Sequence, residues 1–173
     1  EPSSFALRAA AESVVKKGFP VPDPNITTLP LSRCLIALLL IKDSAICSIM
    51  AGVCEASLDL ASEYTKIRQQ FDRAIATFQA VSQRAGDAYI DTEAVRLTSR
   101  QAAWRISAGL PAAEQVAIAR WWASEAGFRV VHAATHLHGG VGVDRDYPLH
   151  RYFLMARQLE LTMGNSEEQL EKL

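Results

Sequence analysis

Apolar positions recur along most of the chain with the spacing of an α-helix. From residue 31 to about residue 67 no proline interrupts the pattern, and up to Val53 the positions are apolar nearly all round. A helix that is apolar on every side is usually buried, so we expect this segment to be the central helix of a bundle. Pro30 suits its first turn, because the amide hydrogen that proline lacks is not needed there.

Stripes of mostly small residues, spaced alternately three and four apart, predict two further helices. The first, expected over about residues 78–107, carries Phe78, Val81, Ala85, Ala88, Thr92, Val95, Ser99, Ala102 and Ile106. The second, expected to open at Pro111, carries Val116, Ala119, Ala123, Ala126, Val130, Ala134 and Leu137. Small side chains on such stripes allow neighbouring helices to approach closely.

Both ends of the chain are also predicted to contain helices. A first helix is expected to stop at Gly18, and the prolines within residues 19–29 exclude helix from the connector that follows. Pro148 is expected to open the last long helix and Gly164 to end it. A further short helix is expected over residues 167–173, and no segment gives a strand signal.

These elements predict an all-α fold, an antiparallel four-helix bundle with an extra N-terminal helix. The bundle is expected over residues 30–173, and the first helix with its Pro-rich connector over residues 1–29. The chain has 173 residues, of which 49 % are hydrophobic, enough for one domain with a substantial core. Its 18 basic and 19 acidic residues give a net charge of −1, so no general attraction to nucleic acid or an anionic membrane is expected.

The three cysteines, Cys34, Cys47 and Cys54, form no CxxC motif and lie on the apolar helical pattern. We expect buried free thiols, and hence a reducing, cytoplasmic compartment. The longest uninterrupted apolar run, residues 34–41, is far shorter than the ~20 residues of a membrane-spanning helix, and no signal peptide is recognisable.

Lys42 and Asp43 interrupt the apolar pattern of the long helix. An unpaired buried charge is costly, so each of them needs a partner, a water-filled cleft or a ligand. Two interpretations stay open at this point. The couple is either exposed or paired without further function, or it marks an active-site or binding position.

We call residues 68–79, RQQFDRAIATFQ, the arginine corner. They follow the long helix, and a new helix is expected to begin at their far end. Arg68 suits the negative end of a helix dipole without any further function. Its forked guanidinium equally suits a phosphate group, so this residue alone leaves both interpretations open.

We call residues 138–142, HGGVG, the glycine corner. Three glycines within four positions allow backbone conformations and close approaches that other residues prevent. Neither the GxGxxG nor the P-loop spacing is present. His132 and His136 have the i,i+4 spacing of a zinc site but lack the HExxH glutamate, so no metal is expected. No motif for nucleophilic catalysis occurs either.

Four short motifs occur together in one order and spacing: RQQF, FQAV, HGGVGV and DYPLHRYF. Over roughly residues 31–168 they resemble the C-terminal helical domain of the acyl-CoA dehydrogenase family. The resemblance implies an FAD enzyme that oxidises the Cα–Cβ bond of an acyl-CoA thioester, with a glutamate taking the α proton and flavin the β hydride. It also implies that the bundle forms a dimer core whose two corners reach the partner's flavin.

Carried over position by position, the resemblance implies a set of cofactor-binding residues. Arg68 would contact the FAD pyrophosphate, Phe71 would pack on the dinucleotide, and Gln79 would hydrogen-bond to it. The remaining positions are His136, where the family commonly has glutamine, Gly139 and Gly140, whose backbone would approach the cofactor, and Asn165.

The sequence departs from the family pattern at the catalytic base. Where the family has Glu-Gly-Thr, this chain has Met163, Gly164 and Asn165, and a thioether cannot take a proton. The family's second location for the base corresponds to Lys42, or to the shorter carboxylate Asp43 after a shift of one residue. In this respect the chain resembles the base-lacking subunit of heterotetrameric actinobacterial steroid acyl-CoA dehydrogenases.

The sequence therefore favours a subunit that is non-catalytic alone and belongs to an FAD-dependent acyl-CoA dehydrogenase. Its partner would be a homologous catalytic subunit or a second copy of itself, and its substrate a steroid side-chain or branched acyl-CoA. Two alternatives remain. One is a competent dehydrogenase fragment with Asp43 as base, and the other is a flavin-free helical bundle with a structural or interaction role.

Overall fold

The computed structural model describes residues 31–164. The predictions for residues 1–30, for Asn165 and for the short C-terminal helix lie outside the described residues. The chain divides into two compact units between residues 36 and 37. The described part of the first unit is a short helical stretch, residues 31–36. The second unit contains the elements discussed below.

The part of the chain that the structure describes contains four α-helices, and the all-α class is confirmed. They are α1 (Leu31–Ile67), α2 (Gln79–Ser107), α3 (Ala113–His138) and α4 (Leu149–Met163). Two-residue strands β1 (Gln69–Gln70) and β2 (Arg73–Ala74) follow α1, and a 3-10 turn (Ile75–Thr77) leads into α2. A second 3-10 turn (Gly139–Val143) lies between α3 and α4.

The small-residue stripes of α2 and α3 lie in the core, as predicted. On α2 the buried positions are Ala88, Thr92, Val95, Ser99 and Ala102, and all seven stripe positions of α3 are buried. The main apolar cluster joins them to Cys47, Met50, Val53 and Cys54 of α1 and to Ala156 and Met163 of α4. Met50 fits against α3 because residue 127 is glycine; a Cβ there would lie 2.8 Å from the Met50 sulfur.

The prediction that α1 is buried all round is wrong for the first half of the helix. Leu38 is 63 % exposed, and Leu39, Ile41 and Ile49 are exposed as well. The sequence pattern shows that these positions are apolar, but it does not show whether the same chain covers them. Exposed apolar surface of this kind marks a contact with another element or protein.

Helix α1 also changes the expectation about membrane spans. Residues 33–67 form a helix that is long and apolar enough to cross a membrane, by length and composition alone. The prediction counted only the uninterrupted apolar run, whereas the two charges Lys42 and Asp43 within a longer apolar segment do not remove this property. One such helix is weak evidence, because core helices of soluble proteins have the same length and composition.

Cys47 and Cys54 are buried free thiols, as predicted, whereas Cys34 is exposed and its predicted burial is wrong. Burial raises the pKa of Cys47 and that of Cys54 to about 12, because the thiolate loses its hydration. Both thiols therefore remain protonated and chemically inert at neutral pH.

The hairpin after α1 was not predicted. β1 and β2 pair antiparallel, with Gln69 opposite Ala74 and Gln70 opposite Arg73. The two residues at its tip, Phe71 and Asp72, have φ of 55° and 63°. A two-residue hairpin turn of this kind is normally signalled by Asn-Gly or Gly-Gly, and Phe-Asp gives no such signal.

Arg120 of α3 joins three helices through its guanidinium. Nη1 lies 2.9 Å from Oδ2 of Asp43 on α1, with the two side chains 17 % and 10 % exposed. Nη2 donates to the carbonyl oxygen of Met163, the last residue of α4. The positive charge of Arg120 at this point also interacts favourably with the negative end of the α4 helix dipole. Exposed Lys42 lies 3.3 Å from the other Asp43 oxygen, so both charges that interrupt α1 have ionic partners.

Removing the Arg120 guanidinium should destabilise the fold strongly. In Arg120→Met the Asp43 carboxylate stays buried without its main partner, which costs about 3–5 kcal/mol of unfolding free energy. The matched control is Arg157→Met, which breaks the exposed pair of Arg157 with Glu160 on α4 and should cost less than about 1 kcal/mol. Urea unfolding of the two variants measures the difference, and equal losses would contradict the structural role given to Arg120.

Candidate functional site

The arginine corner is fixed to the end of α1 by backbone hydrogen bonds. The amide of Arg68 donates to the carbonyl of Tyr64 at 2.9 Å, which extends the helical path by one residue. The amide of Ile75 donates to the carbonyl of Arg68 at 2.9 Å, which closes the hairpin back onto its starting point. The Arg68 side chain is exposed, and no ion pair to it occurs among residues 31–164.

The glycine corner begins where α3 ends. Gly139 has a φ of 61°, a conformation that favours glycine. Gly142 needs to be glycine for a different reason, because a Cβ there would lie 2.7 Å from the carbonyl oxygen of Thr135. Gly139 and Gly140 face open space, since a Cβ at either position would meet no atom within 4 Å. Their backbone is therefore accessible to a ligand.

The two corners meet in one cleft of about 620 Å³. Four residues of the predicted cofactor site line it together: Arg68, His136, Gly139 and Gly140. A guanidinium without an ion partner and an open glycine backbone fit a pyrophosphate, which needs positive charge and N–H donors. The residues present thus fit the dinucleotide cofactor that the resemblance implies.

Phe71 and Gln79 lie outside the lining of this cleft. Phe71 is 87 % exposed at the tip of the hairpin, where its ring meets the edge of Phe78 at a centroid distance of 6.2 Å. Gln79 is the exposed first residue of α2. The guanidinium of Arg73 lies 4.0 Å from the centre of the Phe78 ring, a second cation at this corner that the motif comparison did not include.

An aromatic cluster around His138, the first residue of the glycine corner, was missed. His138 is 3 % exposed, and its ring stacks on Tyr64 of α1 at a centroid distance of 4.5 Å. Its Nδ1 lies 2.7 Å from the carbonyl oxygen of Ala134, and its Nε2 lies 3.0 Å from the hydroxyl of Tyr147. No signal in the sequence indicated this cluster, because its contacts form only through tertiary packing.

Burial shifts the pKa of two members of this cluster. Loss of hydration lowers the pKa of His138, although the hydrogen bond to Ala134 acts in the opposite direction. Loss of hydration also raises the pKa of Tyr147, and the nearby Tyr64 adds to that shift. Both groups are therefore held neutral near pH 7.

The two candidate positions for a base are both buried. Met163 is 1 % exposed and belongs to the core, where its sulfur lies 4.0 Å from the sulfur of Cys47. Asp43 is 7 % exposed, and its Oδ2 accepts a hydrogen bond from Arg120. The site residues therefore separate into an open cleft at one end of the bundle and a closed, buried group of side chains that includes Arg120.

Another cleft, of about 780 Å³, lies between α2 and α3. Two of its charged side chains are paired, since Arg129 forms a two-point contact with Asp91 at 2.7 and 2.8 Å. His132 lines this cleft, whereas His136 lines the cleft at the glycine corner. Within residues 31–164 no group of three or more His, Cys, Asp or Glu side chains could hold a metal ion.

Comparison with known proteins identifies a family. Residues 39–173 match the acyl-CoA dehydrogenase C-terminal domain. The acyl-CoA dehydrogenase FadE27 of Mycobacterium tuberculosis strain H37Rv is 49 % identical over 130 residues, which cover 70 % of this chain and 35 % of that protein. The chain therefore spans about a third of the length of this curated relative.

Solved structures agree with this match. The Tcur3481–Tcur3483 steroid ACAD G363A variant superposes with a TM-score of 0.75 at 40 % identity, over 78 % of this chain and 37 % of that one. The ChsE4–ChsE5 complex from Mycobacterium tuberculosis superposes with a TM-score of 0.74 at 49 % identity, over 77 % of this chain and 36 % of that one.

The aromatic cluster should make stability sensitive to acid. Because the pKa of His138 is lower in the folded chain than in the unfolded one, the unfolded state binds more protons below about pH 6.5. This contribution is fully present above that pH and is lost as the pH falls towards the folded pKa. Between pH 7.5 and pH 5 the free energy of unfolding should therefore decrease more for the unmodified chain than for His138→Gln. The other histidines serve as an internal control, because both proteins contain them, and equal losses would contradict the prediction.

Proposed function

Because the chain belongs to the acyl-CoA dehydrogenase family, we propose that it acts as a base-lacking subunit beside a homologous catalytic subunit. It contributes the arginine and glycine corners to an FAD that the two subunits share. The complex removes two hydrogens from the Cα–Cβ bond of an acyl-CoA thioester. On its own the chain is not a dehydrogenase.

The observation that carries this proposal is the state of the base positions. Met163 stands where the family has its glutamate, has no proton acceptor in its side chain, and is buried in the core. Asp43, the alternative, is buried and already bonded to Arg120. A base must come within about 3 Å of the α proton's carbon or reach it through one water, and neither group has that access.

The open cleft supports the cofactor part of the proposal. Bound flavin would supply the hydride acceptor for the reaction. Arg68 would hold the pyrophosphate, and Gly139 and Gly140 would let backbone N–H groups approach it. His136 lines the same cleft and would present its imidazole beside the glycines. Phe71 and Gln79, outside the cleft, would contact the dinucleotide only if it extends past the hairpin.

Two observations support a partner subunit. The exposed apolar residues of α1, among them Leu38 and Leu39, need a cover that the described part of the chain does not supply. The ChsE4–ChsE5 structure is a complex, and the Tcur3481–Tcur3483 protein is a steroid ACAD. We therefore place a steroid side-chain acyl-CoA first among substrates of the complex. The free thiols Cys47 and Cys54 support a reducing, cytoplasmic compartment.

Flavin content of the purified complex tests the cofactor site. The chain co-expressed with a homologous catalytic subunit should bind FAD and dehydrogenate an acyl-CoA, whereas the isolated chain should show no turnover. Arg68→Ala should weaken FAD binding about tenfold or more, as expected for loss of a charged hydrogen bond, without preventing assembly. The matched control is Arg100→Ala, which removes a different exposed arginine that lies in α2. Full activity of the isolated chain would refute the proposal.

A separate substitution tests the alternative in which Asp43 is the base. Asp43→Asn should leave turnover per bound flavin unchanged in the assembled complex, because the proton is taken by the partner's base. Loss of Asp43 weakens the contact with Arg120, so turnover is measured at a temperature at which the variant remains folded. Abolished turnover in a folded, flavin-loaded complex would instead identify Asp43 as the base.

A further inference from the structure

We propose that Tyr147 and His138 are positioning residues for the glycine corner, and that their hydrogen bond holds Gly139 and Gly140 in the conformation that binds the cofactor. The inference rests on the proposed function, because it concerns the same cleft. Neither residue was among the predicted site residues. His138 lines the cleft, whereas Tyr147 reaches it only through the imidazole.

The direction of the hydrogen bonds follows from their partners. The carbonyl oxygen of Ala134 can only accept, so the Nδ1 of His138, at 2.7 Å, must carry the proton. In the neutral imidazole Nε2 is then an acceptor, and the hydroxyl of Tyr147 donates to it at 3.0 Å. The ring is thus bonded at both nitrogens and stacked on Tyr64, which leaves it a single orientation.

This bond joins the two ends of the loop that contains the glycines. His138 is the last residue of α3, and Tyr147 lies two residues before α4 begins at Leu149. Inside the loop, Gly139–Val143 form a 3-10 turn, the Asp144 amide donates to the Val141 carbonyl at 3.1 Å, and the Tyr147 amide donates to the Asp144 carbonyl at 3.3 Å. The Asp146 amide also donates to Oδ1 of Asp144 at 3.0 Å. These bonds are local, whereas the bond between His138 and Tyr147 links residues nine apart at the two ends of the loop.

In the part of the loop that faces the cleft, the Gly139 amide donates to the His136 carbonyl, and no atom packs where a Cβ of Gly139 or Gly140 would lie. Gly139 and Gly140 are exposed. The open space around them admits a ligand, but it also leaves them without packing contacts. Glycine loses more conformational freedom on ordering than any other residue. A loop already fixed in its binding conformation avoids that loss when a ligand binds, so the link between Tyr147 and His138 should raise affinity for the cofactor.

Tyr147→Phe removes only the hydroxyl and keeps the ring. The experiment uses the complex of the full chain with its catalytic partner, freed of flavin and titrated with FAD while flavin fluorescence is followed. We expect the dissociation constant to rise about five- to tenfold. Tyr152→Phe is the control, because it removes a hydroxyl from α4 outside the loop. The thermal midpoint is measured for each complex.

A second variant tests whether the two residues act as one unit. His138→Phe keeps an aromatic ring against Tyr64 and removes the hydrogen bonds to both Tyr147 and Ala134. It should raise the dissociation constant by at least the same factor, and adding Tyr147→Phe to it should change nothing further, since the bond that the two residues share is already broken. Independent, multiplying effects would contradict the inference.

The outcomes separate this inference from the proposed function. A lower thermal midpoint for Tyr147→Phe with an unchanged dissociation constant would make Tyr147 merely structural and overturn the inference. If Arg68→Ala still weakens FAD binding in that case, the proposed function stands. If the unmodified complex binds no FAD at the interface with this chain, the proposed function fails and this inference fails with it.

Discussion

The buried ion pair between Asp43 and Arg120 is the interaction on which the arrangement of the helices depends. Two charges in a low-dielectric interior are tolerated only when each is paired and hydrogen-bonded. Arg120 meets that condition by binding Asp43 of α1 and the last carbonyl of α4 together. It thereby fixes the end of α4, and with it Met163, against the core. Met163 is consequently a buried member of the core.

The opposite situation holds at the two corners. There Arg68 has no ion partner within residues 31–164, and Gly139 and Gly140 face an open cleft. Unpaired charge and unpacked backbone contribute little to stability, and in the proposed function a bound cofactor supplies their partners. The chain therefore combines an open cleft between the two corners with a buried core around Met163.

The sequence predicted those features that depend on local spacing. The stripes of α2 and α3 followed from helical periodicity, and motif order led to four residues that line one cleft, although their role towards a cofactor stays a prediction. It did not predict the hairpin at Phe71 and Asp72, whose residues lack the usual turn signal. Nor did it predict the contact of Arg120 with Asp43 or that of His138 with Tyr147, because these contacts form only through tertiary packing. Exposure of Leu38 was missed because apolar periodicity does not show what covers a helix.

The central claim is that this chain holds a cofactor without supplying the base. A structure of the chain in complex with its catalytic partner and FAD tests it most directly, through the distance from the Arg68 guanidinium to the flavin pyrophosphate. The account predicts hydrogen bonds of about 3 Å between them, with Met163 buried against Cys47 as in the free chain. Flavin bound only at sites formed by the partner, with the cleft between the two corners empty, would contradict it.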